Sequence, residues 1–122
     1  NILPSLIQPS GLVTDHLSHD RSVVEKYNSD PLVHDKISLS LFHNANSAAS
    51  FIFDNTARIN VPVYLIHGSD DQITSPAGSI KLAGMCDKVT LRIWEGGYHE
   101  LHNEPFSSDV FEGIMGWLGK LI

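Results

Sequence analysis

The chain has 122 residues, 42% apolar and 18% charged, which is the length of a single domain with enough apolar content for a core and argues against disorder. Its formal net charge of −6 argues against a nucleic-acid partner, which would call for a basic face, and offers no attraction to an anionic membrane surface. A single cysteine, Cys86, rules out an intrachain disulfide and a four-cysteine zinc site and fits a reducing compartment such as the cytoplasm.

The chain starts at Asn1 without a basic-then-apolar leader, as a processed product or a fragment would, and no apolar run approaches the length of a membrane span. Residues 1–20 read as loop, punctuated by Pro4, Pro9 and Gly11. Their apolar residues Leu3, Leu6, Ile7, Leu12, Val13 and Leu17 suit the wall of an apolar channel or packing on a neighbour. A short helix is predicted from Arg21 to Tyr27, ended by Asn28-Ser29-Asp30-Pro31. A longer one is predicted over 37–57, with Leu39, Phe42, Ala45, Ala49, Ile52 and Phe53 as an apolar stripe for core packing.

The second half alternates. Residues 61–67 form a nearly continuous apolar run, as in a strand buried on both faces. A loop to Thr74 follows, then a helix from about Pro76 to Cys86. A second strand spans 89–94, Gly96 and Gly97 break it, and a last helix covers 106–121 with Phe106, Val110, Phe111, Ile114, Trp117, Leu118 and Leu121 on one side. Strand, helix, strand, helix implies two parallel strands of an α/β sheet.

In such sheets function gathers in loops past the C-terminal strand ends. Two loops qualify: His67-Gly68-Ser69-Asp70-Asp71, and Glu95-Gly96-Gly97-Tyr98-His99-Glu100-Leu101-His102. Neighbouring strands would put them side by side. A carboxylate from the first could then accept a hydrogen bond from one ring nitrogen of a histidine in the second, freeing the other nitrogen to take a proton from a nucleophile.

The segment His67–Asp71 followed by Gln72-Ile73-Thr74 resembles the acid loop of monoacylglycerol lipases and related lysophospholipases. Gly96-Gly97-Tyr98-His99-Glu100-Leu101-His102-Asn103-Glu104 resembles their histidine loop, Tyr27-Asn28-Ser29-Asp30-Pro31-Leu32 a segment of their lid, and the Ile114, Trp117, Leu118 pattern their last helix. The resemblance implies the C-terminal part of an α/β-hydrolase fold: its last two parallel strands with flanking helices and part of the lid. Residues 1–58 would be lid and connecting helix, and residues 59–122 core. It also implies a Ser-Asp-His order, with Asp71 as acid and His99 as general base. No Gly-x-Ser-x-Gly occurs in the 122 residues, so the nucleophile would belong to a preceding half and the chain alone would be inactive.

The implied substrate is a lipid or other ester, with no cofactor and a cytoplasmic location, peripheral to membranes. The missing half, or a second copy, would cover the free edge of the first strand. Two other readings stand beside this: a non-catalytic fragment or interaction module, and an α/β-hydrolase of different chemistry, such as an epoxide hydrolase with an aspartate nucleophile. Asp70 is the fallback acid. His67 is expected to close its strand and bond locally, and His102 to cap or pack at the start of the last helix. Cys86 reads as a buried structural thiol. Asp15, His16, His19 and Asp20 read as a polar surface loop, and no metal site is expected, since His99 and His102 lack the i, i+4 spacing of a zinc helix.

Overall fold

The computed structural model describes residues 6–122, so Leu3 lies outside it. The chain runs β1 (Ile7–Pro9), α1 (Arg21–Ser29), β2 (Lys36–Ser38), α2 (Leu39–Asp54), β3 (Val63–Gly68), α3 (Pro76–Met85), β4 (Val89–Trp94) and α4 (Ser107–Leu118). Short side chains set three of the helix starts. Asp20 accepts from the Ser22 amide, Ser38 from Leu41 and Ser75 from Ala77, satisfying donors that have no partner inside the helix. Pro76 sits in the first turn of α3, where its missing N–H costs nothing.

The N-terminal segment, expected as loop, contains β1, which pairs antiparallel with β2, Ile7 opposite Ser38. Three residues a side carry too little periodicity to be seen in sequence. The pairing takes Ile37 into β2 and moves the start of the long helix to Leu39. The apolar stripe of that helix is also not the core it was expected to be. None of its residues is buried, and of the stripe Phe42 and Ile52 are exposed.

β3 and β4 form a parallel pair in register from Val63 opposite Val89 to Gly68 opposite Trp94. β3 begins at Val63 and not Val61 because Pro62 has no amide to donate; the Val63 amide makes the first bond, to the Lys88 carbonyl. Apart from Gly68, β3 is only half-buried, short of the burial on both faces its apolar run suggests. The two strands form a sheet of their own, and Trp94, Leu101 and Val110 pack beside it with Ile66, Phe106 and Ile114 around them. Phe106 stacks on Trp94 with 6.0 Å between ring centroids.

At the C-terminal end of the sheet the backbones of β3 and the segment after β4 close together. A Cβ on Gly68 would overlap the carbonyls of Gly97 and Tyr98. Gly96, at φ +70°, makes the left-handed turn that brings Gly97 there. Gly68→Ala is therefore expected to force the two strand ends apart and to destabilise the protein by at least about 1–3 kcal/mol, the usual cost of overpacking. Denaturant unfolding of the full-length protein checks this, and an unchanged midpoint would refute the close packing.

Candidate active site

The loop after β3 is bonded to the loop after β4 through its main chain. The Ser69 amide donates to the Trp94 carbonyl at 2.9 Å and the Asp70 amide to the Gly97 carbonyl at 3.0 Å. Ser69 Oγ accepts from the Gly96 amide at 2.8 Å and donates to Asp70 Oδ1 at 2.8 Å. These bonds give Asp70 a local role, and among the described residues it makes no hydrogen bond or ion pair with His99. The fallback acid is therefore not the one the fold aims at the histidine.

Asp71 is 8% exposed, and both its oxygens are occupied. Oδ1 accepts from the amides of Ile73 at 2.8 Å and Thr74 at 2.9 Å, a turn the aspartate builds on its own backbone. Oδ2 accepts from Thr74 Oγ1 at 2.8 Å and lies 2.9 Å from His99 Nδ1. Burial pushes the carboxyl up. The Thr74 amide, the His99 ring, the Thr74 hydroxyl and the Ile73 amide outweigh it and hold the group down at about 2, against an ordinary 3.8. An ionised carboxylate accepts only, so His99 Nδ1 carries the proton of that hydrogen bond. The neutral ring then keeps a free lone pair on Nε2, which has no partner among the described residues.

The histidine loop is tied down from a second side. The Glu100 amide donates to the Leu17 carbonyl at 2.8 Å and the His99 amide to the His16 carbonyl at 3.4 Å. Ser18 Oγ donates to the Asn103 carbonyl at 2.8 Å. The centre of this strap is Glu104, 2% exposed, whose Oε1 accepts from the Tyr98 amide at 2.7 Å and Oε2 from the His19 amide at 3.2 Å. His19 Nδ1 lies 3.1 Å from Oε2, and its ring stacks on Tyr98 at 3.7 Å. Of the residues read as a polar surface loop, Asp15 and His19 are exposed and His16 and Asp20 half-buried, but Leu17 and Ser18 between them are buried, and His19 braces the histidine loop. Glu104 closes the motif quoted from the sequence, yet no sequence signal marks a charged residue as buried.

His67, Asp71, Thr74, His99, Leu101 and His102 are among the residues that line a 240 Å³ cavity. His67 bonds locally, with Nδ1 2.8 Å from Ser79 Oγ and Nε2 3.0 Å from the Thr74 carbonyl, and it also reaches Asp71. His102 stands in the turn Leu101–Asn103, its Nε2 3.3 Å from Asn103 Nδ2. It does not cap α4, whose cap position is Phe106. Cys86 is a buried free thiol 3.8 Å from the Thr56 carbonyl. Among the described residues no three histidine, cysteine, aspartate or glutamate side chains converge as a metal site would require. No helix among them is long and apolar enough to cross a membrane.

A model of the family described as Serine aminopeptidase, S33 (Hydrolase_4) matches residues 1–106. The chain is 29% identical over 115 residues to the monoacylglycerol lipase of Mycolicibacterium smegmatis, covering 92% of this chain and 41% of the lipase. It is 30% identical over 124 residues to Phospholipase YtpA of Bacillus subtilis, covering 99% of this chain and 48% of that protein. The crystal structure of the Paleococcus ferrophilus monoacylglycerol lipase superposes with a TM-score of 0.82 at 34% identity, over 97% of this chain and 47% of that one. The chain thus spans less than half the length of each of these three proteins.

Two expectations follow. A carboxyl held below its unfolded value contributes stability that is fully present above about pH 4 and is lost as pH falls toward 2. The stability gap between the wild type and Asp71→Asn, measured by denaturant unfolding at a series of pH values, should therefore narrow across that window and be flat above it. Glu104→Gln should cost about 1–3 kcal/mol, because an amide nitrogen would face a buried amide donor. A change in unfolding free energy under about 0.5 kcal/mol, the level of an ordinary surface substitution, would show that the strap does not matter.

Proposed function

The chain belongs to the Serine aminopeptidase, S33 (Hydrolase_4) family and folds as the C-terminal part of an α/β-hydrolase, and from that premise we propose that it supplies the acid and the general base of a Ser-Asp-His relay in a carboxylic ester hydrolase of the monoacylglycerol lipase or lysophospholipase type. The observation that carries this reading is the 2.9 Å contact between Asp71 Oδ2 and His99 Nδ1, with the other ring nitrogen unpartnered among the described residues beside a cavity. In the proposed reaction a serine hydroxyl attacks the ester carbonyl while His99 Nε2 takes its proton. The same proton passes to the departing alcohol, and water then releases the acid by the same two moves. Asp71 keeps the proton on Nδ1 and balances the charge of the imidazolium without itself being protonated.

We assign residues 1–58 to a lid segment and connecting helix, and residues 59–122 to the hydrolase core. The nucleophile is supplied by a segment that packs along the open edge of β3, either upstream in the same polypeptide or as a separate chain; a second copy of this chain is the other occupant of that edge. The surface supports an occupant. The chain exposes 8472 Å², where a self-contained protein of its mass exposes about 6,500 Å². The difference, about 2,000 Å² on this side alone, is more than the roughly 800 Å² per partner of a standard interface and is of the size of an obligate one. The exposed apolar residues Leu6, Ile7, Val13, Phe42 and Phe51 supply either the wall of an acyl-chain channel or part of that contact. A lipid ester substrate met from the cytoplasm, at the membrane surface, goes with this reading.

In the full-length protein, hydrolysis of a monoacylglycerol should fall by at least roughly 10³-fold in Asp71→Asn and in His99→Ala, and by far less in Asp70→Asn. A fluorophosphonate should label the wild type and hardly label His99→Ala. The 122 residues on their own should show no turnover. Activity that survives His99→Ala would defeat the relay.

A further inference from the structure

We propose that His67 is a positioning residue for the Asp71–His99 pair: a second imidazole that anchors the acid loop and stands 3.0 Å from the carboxylate. The proposal rests on the reading of Asp71 as the acid. His67 is the penultimate residue of β3, with its side chain 13% exposed, and its Nε2 lies 3.0 Å from Asp71 Oδ2. The same nitrogen is 3.0 Å from the Thr74 carbonyl oxygen. Both neighbours are acceptors only, so Nε2 bears the hydrogen, which it donates to the Thr74 carbonyl while the carboxylate oxygen stands beside the ring edge. The neutral ring is then an acceptor at Nδ1, and Ser79 Oγ, 2.8 Å away, donates to it. This proton assignment leaves every group satisfied. It runs from the first turn of α3, through the end of β3, into the acid loop.

Asp71 Oδ2 is therefore shared. It faces His99 Nδ1, Thr74 Oγ1 and His67 Nε2 within 3.0 Å. The N–H edge of His67 does two things to the proposed relay. It anchors Thr74, whose amide and hydroxyl hold the carboxylate, and from 3.0 Å it draws part of the carboxylate charge away from His99. The titratable groups around His67 are Asp71 from its own loop and, across the cavity they line together, His99 and His102 from the histidine loop. The side of α3 contributes the uncharged hydroxyl of Ser79.

The test uses steady-state kinetics of the full-length protein on a soluble ester across pH. His67→Leu is expected to lower kcat roughly 10- to 100-fold with KM little changed, the size of effect known for groups that orient metal-bound histidines from behind. The acid limb of kcat/KM should move to higher pH by about half a unit, because an undivided carboxylate holds the His99 proton more firmly. His67→Gln, whose amide nitrogen can sit near the place of Nε2, should restore most of the rate and return the limb. Ser79→Ala, which keeps the ring, should shift the limb in the same direction by less, and it carries the test if His67→Leu does not fold. An unchanged rate and profile in His67→Leu, beside an inactive Asp71→Asn, would overturn the proposal and leave the triad standing. So would a lower rate with an unmoved limb and no recovery by glutamine, the mark of a structural residue. Full activity in Asp71→Asn would instead remove the triad reading, and this proposal with it.

Discussion

Two backbones meet without side chains where Gly68 faces Gly97, and the geometry of the site follows from that contact. The parallel ladder of β3 and β4 sets the two strand ends level, Gly68 opposite Trp94. Level ends alone would leave the following loops to diverge. The turn at Gly96 and the bare Cα atoms of Gly68 and Gly97 let the loops touch, so that amides of one bond to carbonyls of the other. Asp71 stands three residues beyond Gly68, and His99 two beyond Gly97. Their 2.9 Å hydrogen bond results from where the main chains are held, so no long side chain has to search for its partner.

The second constraint is polar and buried. Glu104 takes amide hydrogens from Tyr98 and His19, residues far apart in sequence, and joins the N-terminal segment to the histidine loop. A carboxylate is costly to remove from water unless its oxygens are filled. This one is filled, and the bonds that fill it fix the residue before His99. The N-terminal segment thus acts on the candidate site through its backbone, at His16 and Leu17, as well as through any surface it offers to substrate.

The parts legible in the sequence were those with periodicity or special turn chemistry. The apolar run before His67, the alternation before Trp94 and the glycines at 96 and 97 sufficed to place two parallel strands and the loops beyond them. Asp71 and His99 could be named because strand ends in parallel sheets carry function and because both loops resemble those of a known family. What escaped had no local signal. β1 and β2 are three residues each and are defined by pairing. The burial of Glu104 and the bracing by His19 depend on residues 85 positions apart. The exposed stripe of α2 was misread for a related reason: an apolar face says that something covers it, and among the described residues little does.

That last point bears on how the site keeps its shape. The buried apolar residues are few, and the cluster beside the sheet comprises Trp94, Leu101 and Val110. Such a core gives little of the rigidity that close packing provides in larger domains. Around Asp71 and Glu104, by contrast, nearly every polar atom is paired, and the pairings cross from loop to loop. Hydrophobic contacts tolerate small slides between elements; hydrogen bonds at 2.7–2.9 Å with fixed directions do not. In this chain the apolar surface remains available for association, while the arrangement of the acid and the histidine is carried by polar bonds within the two loops and the strap behind them. Covering the open edge of β3 would then add stability and a nucleophile without having to build the Asp71–His99 pair, because the bonds that align those two residues all lie within the chain itself.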